Sequence, residues 1–372
     1  MKRRPDTVRV EAEGIGAFDR FTSLAISYDL TAPSEASFEV GDDGSWKELE
    51  RFVKPGTKYR VYINNALKLT GKAILNDVPI DERGSVVRFS VRTKLADAMY
   101  ASADPKTRVS GTSVKDFVLA LYAPLGYGPG DFVFDADVSR NLLTGVSRTG
   151  AKPPPEFESM IENKAKVQPP EAIYAAADKH LRRFGLMHWD SPDGKIVVGA
   201  PDDEQMPLYH FRMVNGPGGY ANNLLSAQFV RDWSELPSVL GVFGRLGEGG
   251  LSQVPVRHVI SDQEVIDAGF YRPVLVIQEG VTSEALAARA AFRERTARNK
   301  NRQTWVLTTD GFSYWDKNQI ISYGTDTVCE ITTTSAASPN GAYLIHRVAH
   351  TRDAERGDVT QLFALARGLW RL

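Results

Sequence analysis

Between residues 7 and 92 the chain is written almost entirely in period two. TVRVEAEG, SLAISYDL, ASFEVG, KYRVYIN, LKLTGKAIL and SVVRFSVR each alternate apolar with polar residues or are rich in β-branched and aromatic ones. Successive side chains of a strand point to opposite faces, so this pattern describes strands with one face buried. The stretches TAPSE, GDDGS, KPGT, INNA and DERGS separate them, and short turns of this kind join antiparallel neighbours. A compact antiparallel sheet or barrel is the expected product.

At TKLADAMYASADP the apolar period shifts toward that of a helix. TSVKDFVLALYAPLG then predicts a helix capped by Thr112 or Ser113, with Pro124 beyond its end. DFVFDADV reads as a strand. A second helix is predicted at PPEAIYAAADKHLRRFG: Pro170 suits the first turn, Glu171 complements the dipole, and Lys179, Arg182, Arg183 and Gly185 mark the end. The hairpin LMHWDSPDGKIVVGAP follows. Residues 139–169 are polar and rich in Gly and Pro, which predicts a long loop leading into a short helix at EFESMIENKAK. From about 206 strands resume with LYHFRM, LLSAQFVRD and SVLGVFGRL, and GRLGEGGLSQ reads as a loop tip. The helix TSEALAARAAFRERTARN precedes the strands RQTWVLTT, DTVCEITTT, AYLIHRVAH and DVTQLFALAR.

The two β regions echo each other. Glu82-Arg83-Gly84 recurs as Glu355-Arg356-Gly357, and Val86 and Val359 each stand two positions after the glycine. Upstream, KYRVYIN corresponds to DTVCEIT and GKAILNDVPI to GAYLIHRVAH, so both copies read strand, turn, strand, turn, strand. A looser echo links AISYDLTAPSEASFEVG with AQFVRDWSELPSVLGVFG, where Pro33-Ser34 and Pro237-Ser238 each separate two β runs. Glycine turns between strands also recur in unrelated sheets, but agreement in order over several strands favours duplication. Two similar β domains would then flank an α+β one. A cyclic trimer of such subunits presents about six similar surfaces, a pseudo-sixfold ring suited to a hexameric partner.

Charge excludes some functions. With 45 basic and 46 acidic residues the formal net charge is −1, so no global field draws the chain onto nucleic acid or an anionic membrane. The 372 residues, 42% hydrophobic and 24% charged, suit an ordinary globular chain of two or three domains. Cys329 is the one cysteine, which excludes an intramolecular disulfide, and its place in DTVCEITT reads as a small buried hydrophobe. MKRRPDTVRVEAEG has a basic start without an apolar stretch behind it, so no secretory leader is expected.

Catalytic patterns are also missing from the text. His180, His188, His210, His258, His346 and His350 form no His-Glu-x-x-His motif, and His346 and His350, four apart in a strand, are expected on one face in surface or packing roles. GRLGEGG and GPGGY lack the Lys-Ser/Thr ending of a phosphate loop. The cations Arg293, Arg295, Arg298, Lys300 and Arg302 spread around their helix, with Ala285, Ala288 and Phe292 on one face. That arrangement suits a cationic helix end paired with acidic neighbours better than a DNA-contacting stripe. DGFSYWDKN supplies Phe312, Tyr314, Trp315 and Asp316, a sugar-stacking platform beside a carboxylate on the enzymatic reading and core or interface aromatics on the other.

In order along nearly the whole chain, TKYRVYINNALKLTGKAILND, GSVVRFSVRTKLADAMYASA, TSVKDFVLALYAPLG, EAIYAAADKHLRRFGLMHWDSPDGKIVV, YRPVLVIQEG and ALAARAAFRERTARNKNRQTWVLTTDGF resemble the baseplate hub proteins of contractile-tailed phages, most closely the Mu-like hub. The resemblance rests on pattern and spacing rather than catalytic motifs, and LLTGVSRTGAKPPPEFESMIENKAK departs from it. It implies an α+β, mainly β chain with two tube-like split β-barrel domains flanking an α+β domain, assembled as a homotrimeric pseudo-sixfold ring. The expected boundaries are 1–97 for the first barrel, 98–205 for the middle domain with its loop at 139–169, and 206–250 with 298–372 for the second barrel, interrupted by an inserted 251–297 segment.

The implied function is structural. Such a ring joins the hexameric tail tube to the trimeric central spike during tail assembly and genome delivery, with other baseplate proteins and the tape measure protein as further partners. DNA is only passing cargo, the chain itself binds no membrane, and no enzyme activity, metal or cofactor is expected. The location implied is the virion tail baseplate, assembled in the host cytoplasm. Ile26, Tyr28 and Phe38 in the first copy and Phe229, Arg231 and Val242 in the second are the expected subunit or tube contacts. The rival reading is a peptidoglycan-binding or cell-wall hydrolase component of a tail or injection machine.

Overall fold

The alternating segments become strands whose apolar residues turn inward. In a computed structural model, residues 6–19, 21–42, 56–77, 80–81, 84–107, 114–134, 167, 170–181, 186–215, 222–234, 236–245, 256–279, 284–299, 302–316, 319–335, 339–353 and 357–367 are described. Outside them lie most of 139–169, the Thr112/Ser113 cap, the Arg182-Arg183-Gly185 helix end and the GPGGY loop. The Glu-Arg pairs of both repeated turns also lie outside them.

The first β region comprises β1 (Val8–Ala12), β2 (Gly16–Phe18), β3 (Ser23–Asp29), β4 (Glu35–Asp42), β5 (Lys58–Ile63), β6 (Ala66–Asp77), β7 (Ile80–Asp81) and β8 (Gly84–Arg92). Helices α1 (Lys94–Tyr100) and α2 (Val114–Tyr122) follow, then β9 (Phe132–Phe134), α3 (Ile173–Leu181), β10 (Met187–Asp190) and β11 (Ile196–Gly199). Next come β12 (Tyr209–Met213), β13 (Ser226–Val230), β14 (Val239–Arg245), β15 (Arg257–Ser261), α4 (Gln263–Asp267), β16 (Pro273–Glu279) and α5 (Glu284–Asn299). The chain ends its described part with β17 (Thr304–Asp310), β18 (Ser313–Asp316), β19 (Gln319–Ser322), β20 (Thr327–Thr333), β21 (Gly341–Asp353) and β22 (Gly357–Ala366).

Fourteen of these strands form one sheet, ordered β13-β17-β22-β21-β3-β4-β8-β6-β5-β1-β2, with β12 on β20, β20 on β21 and β7 on β8. The order β3-β4-β8-β6-β5-β1 is repeated strand for strand by β13-β17-β22-β21-β20-β12. Outer strands differ in direction: β1 runs antiparallel to β5, whereas β12 runs parallel to β20. One core cluster spans both copies, from Leu24, Ile26, Phe38 and Phe89 in the first to Trp305, Leu307, Leu362 and Ala364 in the second. Phe38 stacks on Phe89 with ring centroids 5.2 Å apart.

Order and alternation were legible, but partnership was not always. The SVLGVFG segment, matched in the text with ASFEVG, is β14, and it lies between β15 and β16 in a separate three-stranded sheet. The strand standing where β4 stands is β17, paired with β13 and β22. Alternation shows which side of a strand is buried and not which strand lies beside it, so two adjacent β runs were paired in the text. The β14 sheet is closed on its inner side by α5, through Val242, Ala287, Ala290 and Ala291.

The middle unit packs α1, α2 and α3 around Leu95, Phe117, Leu121, Ile173, Ala177 and Leu181. Antiparallel β10 and β11, with β9 parallel to β11, complete it. Leu30, Met187, Trp189, Val328, Leu344 and Leu365 form the seam between this unit and the sheet. No helix among the described residues is long and apolar enough to cross a membrane.

Candidate functional site

The two copies meet where β3 adds to β21. Arg347 faces Asp29, Val348 faces Tyr28, Ala349 faces Ser27, and the pairing runs on to Arg352 and Leu24. Only half of β21 is used, because Gly341–Ile345 already pairs with β20 and a bulge at His346 separates the two halves. That bulge corrects the expectation that His346 and His350 share a face: His346 packs near Phe363, and His350 near Phe312 and Tyr28.

Polar groups lock the junction. His350 is fully buried and its Nδ1 lies 2.8 Å from Thr360 Oγ1, which itself donates to the Gly311 carbonyl at 2.6 Å. The imidazole therefore carries its proton on Nδ1 and donates. Burial, aided by the Lys68 charge, pushes its pKa down to about 3. Lys68 donates from Nζ to the Tyr323 carbonyl at 2.8 Å, and burial lowers its own pKa to about 8. Arg352 forms a two-pronged pair with Asp358 at 2.5 and 2.7 Å and also donates to the Asp6 carbonyl. The Asp6 carboxylate accepts from the Phe312 amide at 2.6 Å and from Asn64.

The middle unit is tied to the sheet by Asp190, whose Oδ2 accepts from the Ser34 amide at 2.8 Å and the Thr93 hydroxyl at 2.7 Å. Burial of the carboxyl raises its pKa to about 6, against the pull of those hydrogen bonds. Tyr174 donates to the Thr31 carbonyl and Thr70 to the Pro192 carbonyl. None of these ties carried a sequence motif. Each joins residues far apart in the chain, and only Asp190 within MHWD offered a cue, a charge in an apolar hairpin.

The predicted contact residues divide sharply. Ile26 and Phe38 are 1% exposed, Tyr28 8% and Val242 0%. They line the subunit's own core. Their inward alternation sets them against Phe89, His350 and α5. Phe229 is half-buried against Trp305, and Arg231 is exposed with its guanidinium 5.2 Å from the Phe229 ring. Both lie at or beside the sheet edge formed by β13.

A separate exposed apolar face lies on the β14 sheet, with Val259, Leu275 and Ile277 turned outward. Catalytic candidates fare differently. Phe312 and Tyr314 are buried, whereas Trp315 is 41% exposed, so the aromatic group presents no shared platform. Cys329 is buried as expected, and burial pushes its thiol pKa well up. Among the described cations of the helix end, Arg298 pairs with Glu294 at 2.8 Å, and Arg302 with Asp262 at 2.8 Å and with Glu264. Among the described residues no three His, Cys, Asp or Glu side chains group as metal ligands.

The fold is similar to that of solved tail proteins. The tail protein from Neisseria meningitidis MC58 matches with a TM-score of 0.76 at 16% identity, over 99% of this chain and 98% of that one. The 43 kDa tail protein of prophage MuSo2 from Shewanella oneidensis matches with a TM-score of 0.71 at 16% identity, over 97% and 98%. The E. coli c3393 protein, described as a type VI secretion component structurally similar to T4 tail proteins gp27 and gp5, matches with a TM-score of 0.53 at 9% identity, over 96% and 77%. No family model and no curated protein matches the sequence.

Proposed function

We propose that this chain is a structural baseplate hub of a contractile tail, a homotrimeric adaptor between the hexameric tail tube and the trimeric central spike. The observation that carries the reading is the doubled strand order, β3-β4-β8-β6-β5-β1 and β13-β17-β22-β21-β20-β12, within one sheet. Three such chains supply six like modules, and each chain as a whole supplies the threefold symmetry of a spike. The full-length likeness to tail proteins supports a place in the tail baseplate. The mechanism is geometric: a rigid ring, its modules joined by backbone pairing, transmits position and force between partners of unlike symmetry.

Light scattering on the purified chain, with class averages of any oligomer, tests this directly. A mass of three subunits and a six-lobed ring with a central hole are expected. A monomer at all concentrations, or a dimer, would overturn the trimeric hub.

A further inference from the structure

The three-stranded sheet β15-β14-β16 has a helix on one face. Val242, Ile260 and Val276 turn inward, where α5 packs Ala287, Ala290 and Ala291 against them. The strand register sets a second group of residues on the outer face: Gly241 lies between Val259 and Leu275, and Phe243 between Arg257 and Ile277. Val259 is 49% exposed, Leu275 69% and Ile277 72%. Leu275 and Phe243 lean over Gly241, where a Cβ would meet Leu275 Cδ2 at 3.0 Å and Phe243 Cε2 at 3.2 Å, so the apolar surface runs unbroken from β14 to β16.

Strand direction makes this exposure unusual. β14 and β16 run parallel, and parallel strands belong almost always to sheets buried on both faces, where they read as continuous apolar runs. β16 is written that way, with PVLVI ahead of Gln278, whereas a strand with one wet face alternates. The inner layer is a single helix, and the outer face has room for another. Three strands about 4.8 Å apart make it about 10 Å wide, and Val239 to Phe243 spans about 13 Å; a helix is about 10–12 Å across and covers that length with about nine residues. Charge narrows what can cover it. Among the described side chains of this face Arg257 is the one charge, and it forms no ion pair among the described residues. Two copies meeting face to face share a twofold axis and would bring two guanidinium groups into an apolar contact that holds no carboxylate, which is unfavourable. The occupant must bring the acid itself.

We infer that this outer face docks an amphipathic α-helix of a partner protein, its aliphatic stripe lying on Val259, Leu275 and Ile277 and a carboxylate at the margin of the stripe meeting Arg257. The docked helix is the counterpart of α5 and completes a helix-sheet-helix sandwich. Leu275 and Ile277 anchor its i, i+3, i+4 and i+7 positions. Arg257, set opposite Phe243, makes a charge-assisted hydrogen bond that selects an acidic helix over a basic one. The face lies outside the fourteen-stranded sheet, so docking does not depend on the number of subunits; that the partner is another protein of the same tail rests on the hub reading.

Two fluorescent probe peptides, each about 15 residues long, test this on the full chain by anisotropy titration. Both carry leucine at i, i+3, i+4, i+7 and i+11 in an alanine background; glutamates flank the stripe in one and lysines in the other. The acidic peptide is expected to bind with a gain of helical circular dichroism, roughly tenfold or more tighter than the basic one. Arg257→Glu should reverse that order. Leu275→Glu, at a position 69% exposed, should remove binding of both peptides while keeping the far-UV circular dichroism of the parent. No saturable binding of the acidic peptide, binding that survives Leu275→Glu, or an order that Arg257→Glu leaves unchanged would each overturn the docking face. A fall in oligomer mass on Leu275→Glu, read by light scattering, would assign the face to a contact between copies and overturn it equally. A three-subunit mass without peptide binding would leave the hub intact, and a monomeric mass with the expected binding pattern would keep the docking face and overturn the hub.

Discussion

Two buried groups with opposed pH dependence set the residue-level behaviour. His350 is held neutral with a pKa of about 3 in the fold, against about 6.5 unfolded. Its contribution to stability is complete above pH 6.5 and is lost as pH falls toward 3, because the unfolded state takes up the proton. Asp190 runs the other way. Its folded pKa of about 6 exceeds the unfolded value of about 3.9, so its contribution weakens as pH rises from about 4 to 6. Thermal melts from pH 4 to 7 should show His350→Gln flattening the acid loss and Asp190→Asn removing the opposing slope. At pH 7, Asp190→Ala should cost about 1–3 kcal/mol by leaving the buried Ser34 amide and Thr93 hydroxyl unpaired, while Asp190→Asn, which keeps an acceptor oxygen, should cost less. Chemical denaturation of the three proteins side by side measures this.

At the scale of elements, the close approach of β6 to β8 depends on Gly71. A Cβ there would collide with the Arg92 carbonyl oxygen and sit 2.9 Å from Val91 Cγ1. Gly71→Ala should destabilise by about 1–3 kcal/mol, the usual cost of overpacking, read as a lowered urea midpoint. Burial also separates two positions that the strand registers make equivalent. Ile26→Glu places a charge in the shared core and should leave little folded protein in solution. Phe229→Glu, on the half-buried edge strand, should keep the far-UV circular dichroism of the parent while losing the oligomer in light scattering.

The whole molecule behaves as one sheet rather than two beads on a string, since a single core crosses the β21–β3 junction. Leu24→Ala, a cavity worth about 2–5 kcal/mol, should therefore raise amide exchange in β22 as well as in β4. Protection loss confined to residues before 93 would show that the copies unfold independently. With a formal net charge of −1 and association through backbone edges, the oligomer mass should change little between 50 mM and 500 mM salt.

Period-two alternation and turn chemistry are local properties. They were enough to define the strands of both copies, the helices at 114–122, 173–181 and 284–299, the doubled order around Gly84 and Gly357, and the burial of Cys329. The loose echo of AISYDL in AQFVRD already set β3 beside β13 as counterparts, because duplication preserves pattern. Strand partnership is not local. That β17 rather than β14 follows β13 in the sheet, that a bulge at His346 turns His350 inward, and that β21 receives β3 on half its length depended on hydrogen bonds between residues up to hundreds apart. For the same reason equivalent positions differ in fate: Ile26 is sealed by a strand from the other copy, and Phe229, with the same neighbours on one side, is left at an edge. Side-chain pattern determined which face of each strand is apolar, and only the tertiary pairing decided which of those strands still has an edge to offer.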